Sequence, residues 1–188
     1  LLLKKKKSAA KTVIELPNGE IKYGQELKGL ALVRRDWCIQ SRDTGRFVTE
    51  QILSGQDSEV VLDRIYTHLE ELATKMRAGE LPLDKYTITK GLSKHPNEYP
   101  DAKSLAHVQV ARRMLLNNQA VNTGDHIPYI ITALIVEEGT EPKAVPSVTE
   151  RARHPDEIAR DPKLKPDVEW YLEQQILPPV SRLCEPID

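Results

Sequence analysis

"QELKGLALVRRDWC", residues 25–38, runs from alternating aliphatics into Arg34, Arg35 and Asp36 and then a tryptophan. Leu30, Leu32 and Val33 suit a short strand over 25–33. From Asp36 to Leu53, Trp37, Phe47, Val48 and Ile52 recur at helical steps, and Gly45 weakens that helix without forbidding it. The stretch is therefore the point at which a β-rich start hands over to a helical body. That predicts an α+β chain: a hairpin and strands first, then mainly helices with a few short strands.

Upstream, "KTVIELPNGEIKY" (11–23) predicts a β-hairpin, because two β-prone runs flank Pro17-Asn18-Gly19 and Asn-Gly tolerates the positive φ angles of a tight turn. Leu1–Leu3 is a buried-strand type of run that begins without any turn signal, which reads as a cut through a larger protein. Downstream, Val61, Ile65, Leu69, Leu72, Ala73 and Met76 predict an amphipathic helix between an Asp57 cap and a Gly79 stop. "YTITKGL" (86–92) reads as extended and 94–104 as loop. His107–Asn117 has the helical pattern, with Arg112 and Arg113 opposite its apolar side. "HIPYIITALIV" (126–136) reads as a strand, and Pro128, which cannot donate to a ladder, favours an edge. Residues 137–167 read as an irregular excursion with at most a short helix near 155–160. A last helix over 168–183 must kink or break at Pro178-Pro179.

The 188 residues carry a net charge of −1, so the global balance announces neither a nucleic-acid nor a membrane partner. The distribution is uneven: residues 1–46 hold 11 Lys/Arg against 5 Asp/Glu, net +6, leaving −7 for the remainder. The two cysteines, Cys38 and Cys184, fit neither a metal spacing nor a disulfide scaffold and are expected to be reduced. No apolar run approaches the roughly 20 residues that span a bilayer, so no membrane partner is expected.

Phosphate loops, paired metal-ligand spacings and nucleophile elbows are missing, so neither catalytic nor metal-binding residues are expected in the chain itself. Four features could serve a polyanion. Lys4–Lys7 is a compact cation cluster, equally readable as a solvated tail or a localisation signal. Lys28-Gly29 permits a close backbone approach, although a strand bulge explains it as well. Arg34-Arg35-Asp36 can fix the strand-to-helix turn by an ion pair while one guanidinium faces phosphate. Residues 85–113 hold six Lys/Arg against two acids, with His95 and His107 among them, or simply form a basic surface.

Taken in order, "LLLKKKKSAA", "QELKGLALVRRDWC", "TGRFVTEQILS", "YTITKGLSKHPNEYPDAKSLAHVQVA", "GDHIPYII" and "WYLEQQILPPVSRLCEPID" resemble the end of the palm and the thumb of family B DNA polymerases of the alpha type. The resemblance spans nearly the whole chain except 137–167. It implies a palm portion over 1–35 and a thumb over 36–188. The family's Lys-Lys-x-Tyr motif, which approaches the primer–template minor groove, falls on Lys5, Lys6 and Lys7, with Ser8 where the family has tyrosine. By the same resemblance Lys28, Gly29, Arg34 and Arg35 lie at the palm–thumb crossing near the duplex. Lys90 contacts primer phosphates, and the helix opening at His107 and Gln109 points its N-terminal end at the same duplex.

The implied function is to grip an RNA–DNA or DNA primer–template for a nuclear replicative polymerase. Primase and an accessory subunit would be partners through the full-length protein. The family's two Mg²⁺ ions are held by palm aspartates in motifs this sequence lacks, so the chain is expected to carry no cofactor and to be inactive alone. A non-catalytic nucleic-acid-binding or scaffold module on the same fold is the alternative.

Overall fold

The computed structural model describes residues 2–3, 7–28, 37–135, 139 and 145–187. They divide into two compact units, one of residues 1–80 with 172–188 and one of residues 81–171.

The first unit opens with a three-stranded antiparallel sheet of β1 (Leu2–Leu3), β2 (Lys7–Glu15) and β3 (Ile21–Lys28), in that order. The hairpin forms where Asn-Gly predicts it. Gly19 has φ +81°, the Asn18 side-chain oxygen accepts from the Glu20 N–H at 3.1 Å, and the Leu16 N–H donates to the Glu20 carbonyl at 2.7 Å. That turn fixes the register, pairing Glu15 with Ile21 and, at the far end, Ser8 with Lys28. The strand predicted over 25–33 is in part the end of β3; residues 29–36, with the expected palm–thumb boundary, lie outside the described residues.

Helices α1 (Ile39–Ile52) and α2 (Ser58–Arg77) follow, and α6 (Leu177–Cys184) returns to pack on α1. Val48, Val61, Ile65, Val180 and Leu183 are buried between them, each stabilising by roughly 1.5–3 kcal/mol relative to exposure. Gly45 is buried within α1. The start of α1 is tied down by Cys38, whose Sγ accepts from the Ser41 N–H at 3.3 Å and whose N–H donates to the Gln175 side chain at 3.0 Å. Burial pushes the Cys38 thiol up to about 12. The predicted kink at Pro178-Pro179 takes the form of a π turn over Leu172–Ile176, just before α6. Prolines lack the N–H that the preceding carbonyls require, so the chain widens by one residue there.

The second unit is built on a sheet of order β4 (Ile88–Gly91), β5 (His126–Ile131), β6 (Ala152–Arg153). This corrects the edge position expected for Pro128, since β5 is the middle strand. The physical reason is a short β6: it pairs only with Ile130 and Ile131, while Pro128 pairs with Thr89 of β4, so the missing N–H faces no third strand. Helix α3 (Ala106–Leu116) lies against β5, with Val108, Val110 and Ala111 wholly buried. The short helix expected near 155–160 is α4 (Pro155–Arg160), and α5 (Val168–Tyr171) ends the unit. Arg113 of α3 does not face solvent as its pattern suggests. Its Nε donates to Glu157 Oε1 at 3.0 Å, its Nη2 to Glu157 Oε2 at 3.3 Å and also to the Ala152 carbonyl.

Candidate nucleic-acid interface

Two of the predicted site residues, Lys90 and His107, line one cavity of about 190 Å³ in the second unit. Strand β4 positions Lys90 through Ile88 and Leu92, buried on either side of it, and through pairing of Lys90 with Ile127. The ammonium end is exposed, and among the described residues Lys90 makes no ion pair. Across the cavity stands the first turn of α3. Its cap residue, Leu105, has no side chain able to receive the free N–H groups of the turn, and none does so. Leu105, Ala106 and His107 all line the cavity, beside Ser104, whose hydroxyl donates to the Asp101 carbonyl at 2.8 Å.

Its other walls are Tyr129 and Ile131 from β5, Val148 and Thr149 beside a 3-10 turn, and Trp170 from α5. Thr149 is held in place by donating to the Lys103 carbonyl at 2.7 Å. Among the described residues, not one carboxylate lines the space. A lysine and uncapped helix N–H groups around a small cavity, with no carboxylate among the described residues that line it, form an electropositive recess sized for one anionic group.

His107 is 3% exposed. Burial, with the Lys90 charge adding to it, pushes its imidazole down to about 4, so at neutral pH it is uncharged. The side chain is thus part of the wall rather than a surface cation. A loop holds it from behind: the Tyr99 ring meets it edge-on at 6.1 Å, and Tyr99 Oη bonds the N–H and hydroxyl of Ser93 at 2.9 and 3.0 Å. Arg112 secures that loop by donating to the Pro96 and Tyr99 carbonyls at 3.1 and 3.3 Å. Of the six cations in 85–113, Arg112 and Arg113 therefore serve the unit's own structure, and the Lys94 ammonium lies over the Tyr99 ring at 4.9 Å.

Gln109 is half-buried two residues farther along α3 and does not line the cavity. In the other unit, Lys7 and Lys28 end neighbouring strands, with Ser8 directly opposite Lys28. Lys5, Lys6, Gly29, Arg34 and Arg35 lie outside the described residues. Sequence reasoning missed Ser104, Tyr129, Thr149 and Trp170. Ser104 was within reach, as a hydroxyl two residues before a helix start; Thr149 comes from a stretch without periodicity. Among the described residues, no group of three His, Cys, Asp or Glu could hold a metal ion. No helix of the described residues is long and apolar enough to cross a membrane.

The sequence model for DNA polymerase family B matches residues 1–187. The chain is 44% identical over 189 residues to the DNA polymerase alpha catalytic subunit of Oryza sativa subsp. japonica and 42% identical over 191 residues to that of Mus musculus. Each alignment takes in 100% of this chain and 12% of the relative, so the chain spans about an eighth of the length of the curated relatives it matches. Its fold resembles the family B DNA polymerase of the hyperthermophilic archaeon Pyrobaculum calidifontis, with a TM-score of 0.67 at 24% identity over 92% of this chain and 20% of that one. The chain belongs to DNA polymerase family B and corresponds to a region of DNA polymerase alpha catalytic subunits.

Proposed function

We propose that this chain is the thumb, with a palm portion at residues 1–35, of a replicative DNA polymerase of the alpha type, and that it grips the primer–template duplex. The observation that carries the proposal is the recess, lined by no carboxylate among the described residues, that Lys90 shares with the uncapped first turn of α3. Such a site takes up a backbone phosphate and reads no base, which suits an enzyme that must hold any sequence. Lys5, Lys6, Lys7, Lys28, Gly29, Arg34 and Arg35 add phosphate and minor-groove contacts from the palm side, and Gln109 flanks the α3 contact. An A-like RNA–DNA hybrid with its wide, shallow minor groove is the favoured substrate. Nucleotide transfer belongs to the full-length nuclear enzyme, with its Mg²⁺-binding aspartates, primase and accessory subunit. The chain alone supplies grip without catalysis.

The test is a titration of the chain with a fluorescent RNA–DNA primer–template across a range of salt. A steep linear fall of log K with log salt, at about 0.9 per phosphate neutralised, is expected. Absence of a binding isotherm at low salt, or an affinity indifferent to salt, refutes the proposal.

A further inference from the structure

The recess that faces the duplex under this proposal also contains a group poised to change protonation when an anion enters. The His107 imidazole is almost wholly enclosed and makes no hydrogen bond among the described residues, and His107 lines the same space as Lys90 and the uncapped first turn of α3. We infer that a phosphate seated in this cavity binds together with one proton taken up by His107, so that the site tightens its hold on duplex as pH falls.

The charges around the imidazole set its protonation. Among the described residues, the Tyr99 ring packs on it from the loop behind, the Lys90 charge of β4 acts on it, and Tyr129 of β5 with uncharged Thr149 and Trp170 line the same cavity. With the cavity free of anions, an imidazolium there would be a buried cation beside a second cation, and the ring stays neutral, with a value of about 4. A phosphodiester oxygen reverses both penalties: it cancels the Lys90 field and accepts the imidazolium N–H. The bound-state value therefore lies above the free-state one, and by reciprocity the anion is held more tightly when the proton is present. Affinity rises as pH falls from the bound-state value and levels off near the free-state value of about 4. Within that window the gain is up to about tenfold per pH unit.

This inference rests on the duplex-gripping proposal, and the experiment separates the two. The chain is titrated with an RNA–DNA primer–template at fixed ionic strength from about pH 8 to about pH 5.5, the range where an imidazole can change charge. Calorimetry in buffers of different ionisation heat counts protons, and the His107 imidazole proton is followed by NMR with and without duplex. Tightening with acid, uptake of about one proton per complex and an upward-shifted His107 titration support the inference, as does loss of the pH dependence in His107→Gln. Salt-dependent binding with a flat pH profile and an unmoved His107 titration overturns it and leaves the duplex-gripping proposal standing. No binding at any pH overturns both. The NMR measurement uses the unaltered chain and so decides the matter even where His107→Gln fails to fold.

Discussion

Replacing Glu157 by Gln removes one charge from a carboxylate of the second unit that accepts three hydrogen bonds. Glu157 Oε1 accepts from Arg113 Nε at 3.0 Å, and Oε2 accepts from Arg113 Nη2 at 3.3 Å and from the His154 N–H at 2.8 Å. The amide of glutamine offers one oxygen, so whichever way it turns, an NH₂ group meets an Arg113 donor. The loss is one charge-assisted hydrogen bond plus that mismatch, about 2 kcal/mol once the partial exposure of both side chains is allowed for. For a chain of this size that is a fall in Tm of roughly 4–8 °C. Burial raises the Glu157 carboxyl, but the Arg113 hydrogen bond, the His154 N–H and the Arg113 and Arg153 charges outweigh it, holding the group below 4.5. A depressed folded-state value means the contribution is fully present above 4.5 and disappears as pH falls through the folded value. Thermal unfolding of both proteins by circular dichroism should therefore show a gap at neutral pH that closes in acid. A Tm difference under about 1 °C at neutral pH, or a gap of equal size at acid pH, refutes this reasoning.

Tyr171→Phe removes the hydroxyl that accepts from the buried Ile131 N–H at 2.9 Å; a loss of about 1–3 kcal/mol in denaturant unfolding is expected, and an unchanged midpoint would show that the N–H finds another partner. Cys38, with its thiol raised to about 12 by burial, should resist alkylation at mildly alkaline pH in the folded chain and react readily in denaturant. Mass-spectrometric mapping that finds Cys38 labelled at the same rate in both states contradicts its placement as the cap of α1.

The elements most legible in the sequence were those with local causes. Asn18-Gly19 dictates its own turn, and the steps from Val61 to Met76 dictate α2, because neither depends on distant partners. The middle position of β5 was not legible, since Pro128 signals an edge unless the shortness of β6 is known, and that shortness is set by a two-residue strand in a stretch without periodicity. Nor were the roles of Arg112 and Arg113, whose helical pattern points outward while loop carbonyls and Glu157 reach over to meet them. For the candidate site, Lys90 and the start of α3 stand out by charge and resemblance. The burial that makes His107 a neutral wall is a tertiary property: its own helix allows exposure, and it is the Tyr99 loop and β4 that enclose it.

The central claim, that Lys90 neutralises a duplex phosphate at this recess, is tested most directly by the salt dependence of Lys90→Ala beside the unaltered chain. Loss of one phosphate contact lowers the slope of log K against log salt by about 0.9 and weakens every duplex sequence alike. A slope identical to that of the unaltered chain, or a loss confined to particular base sequences, contradicts the account.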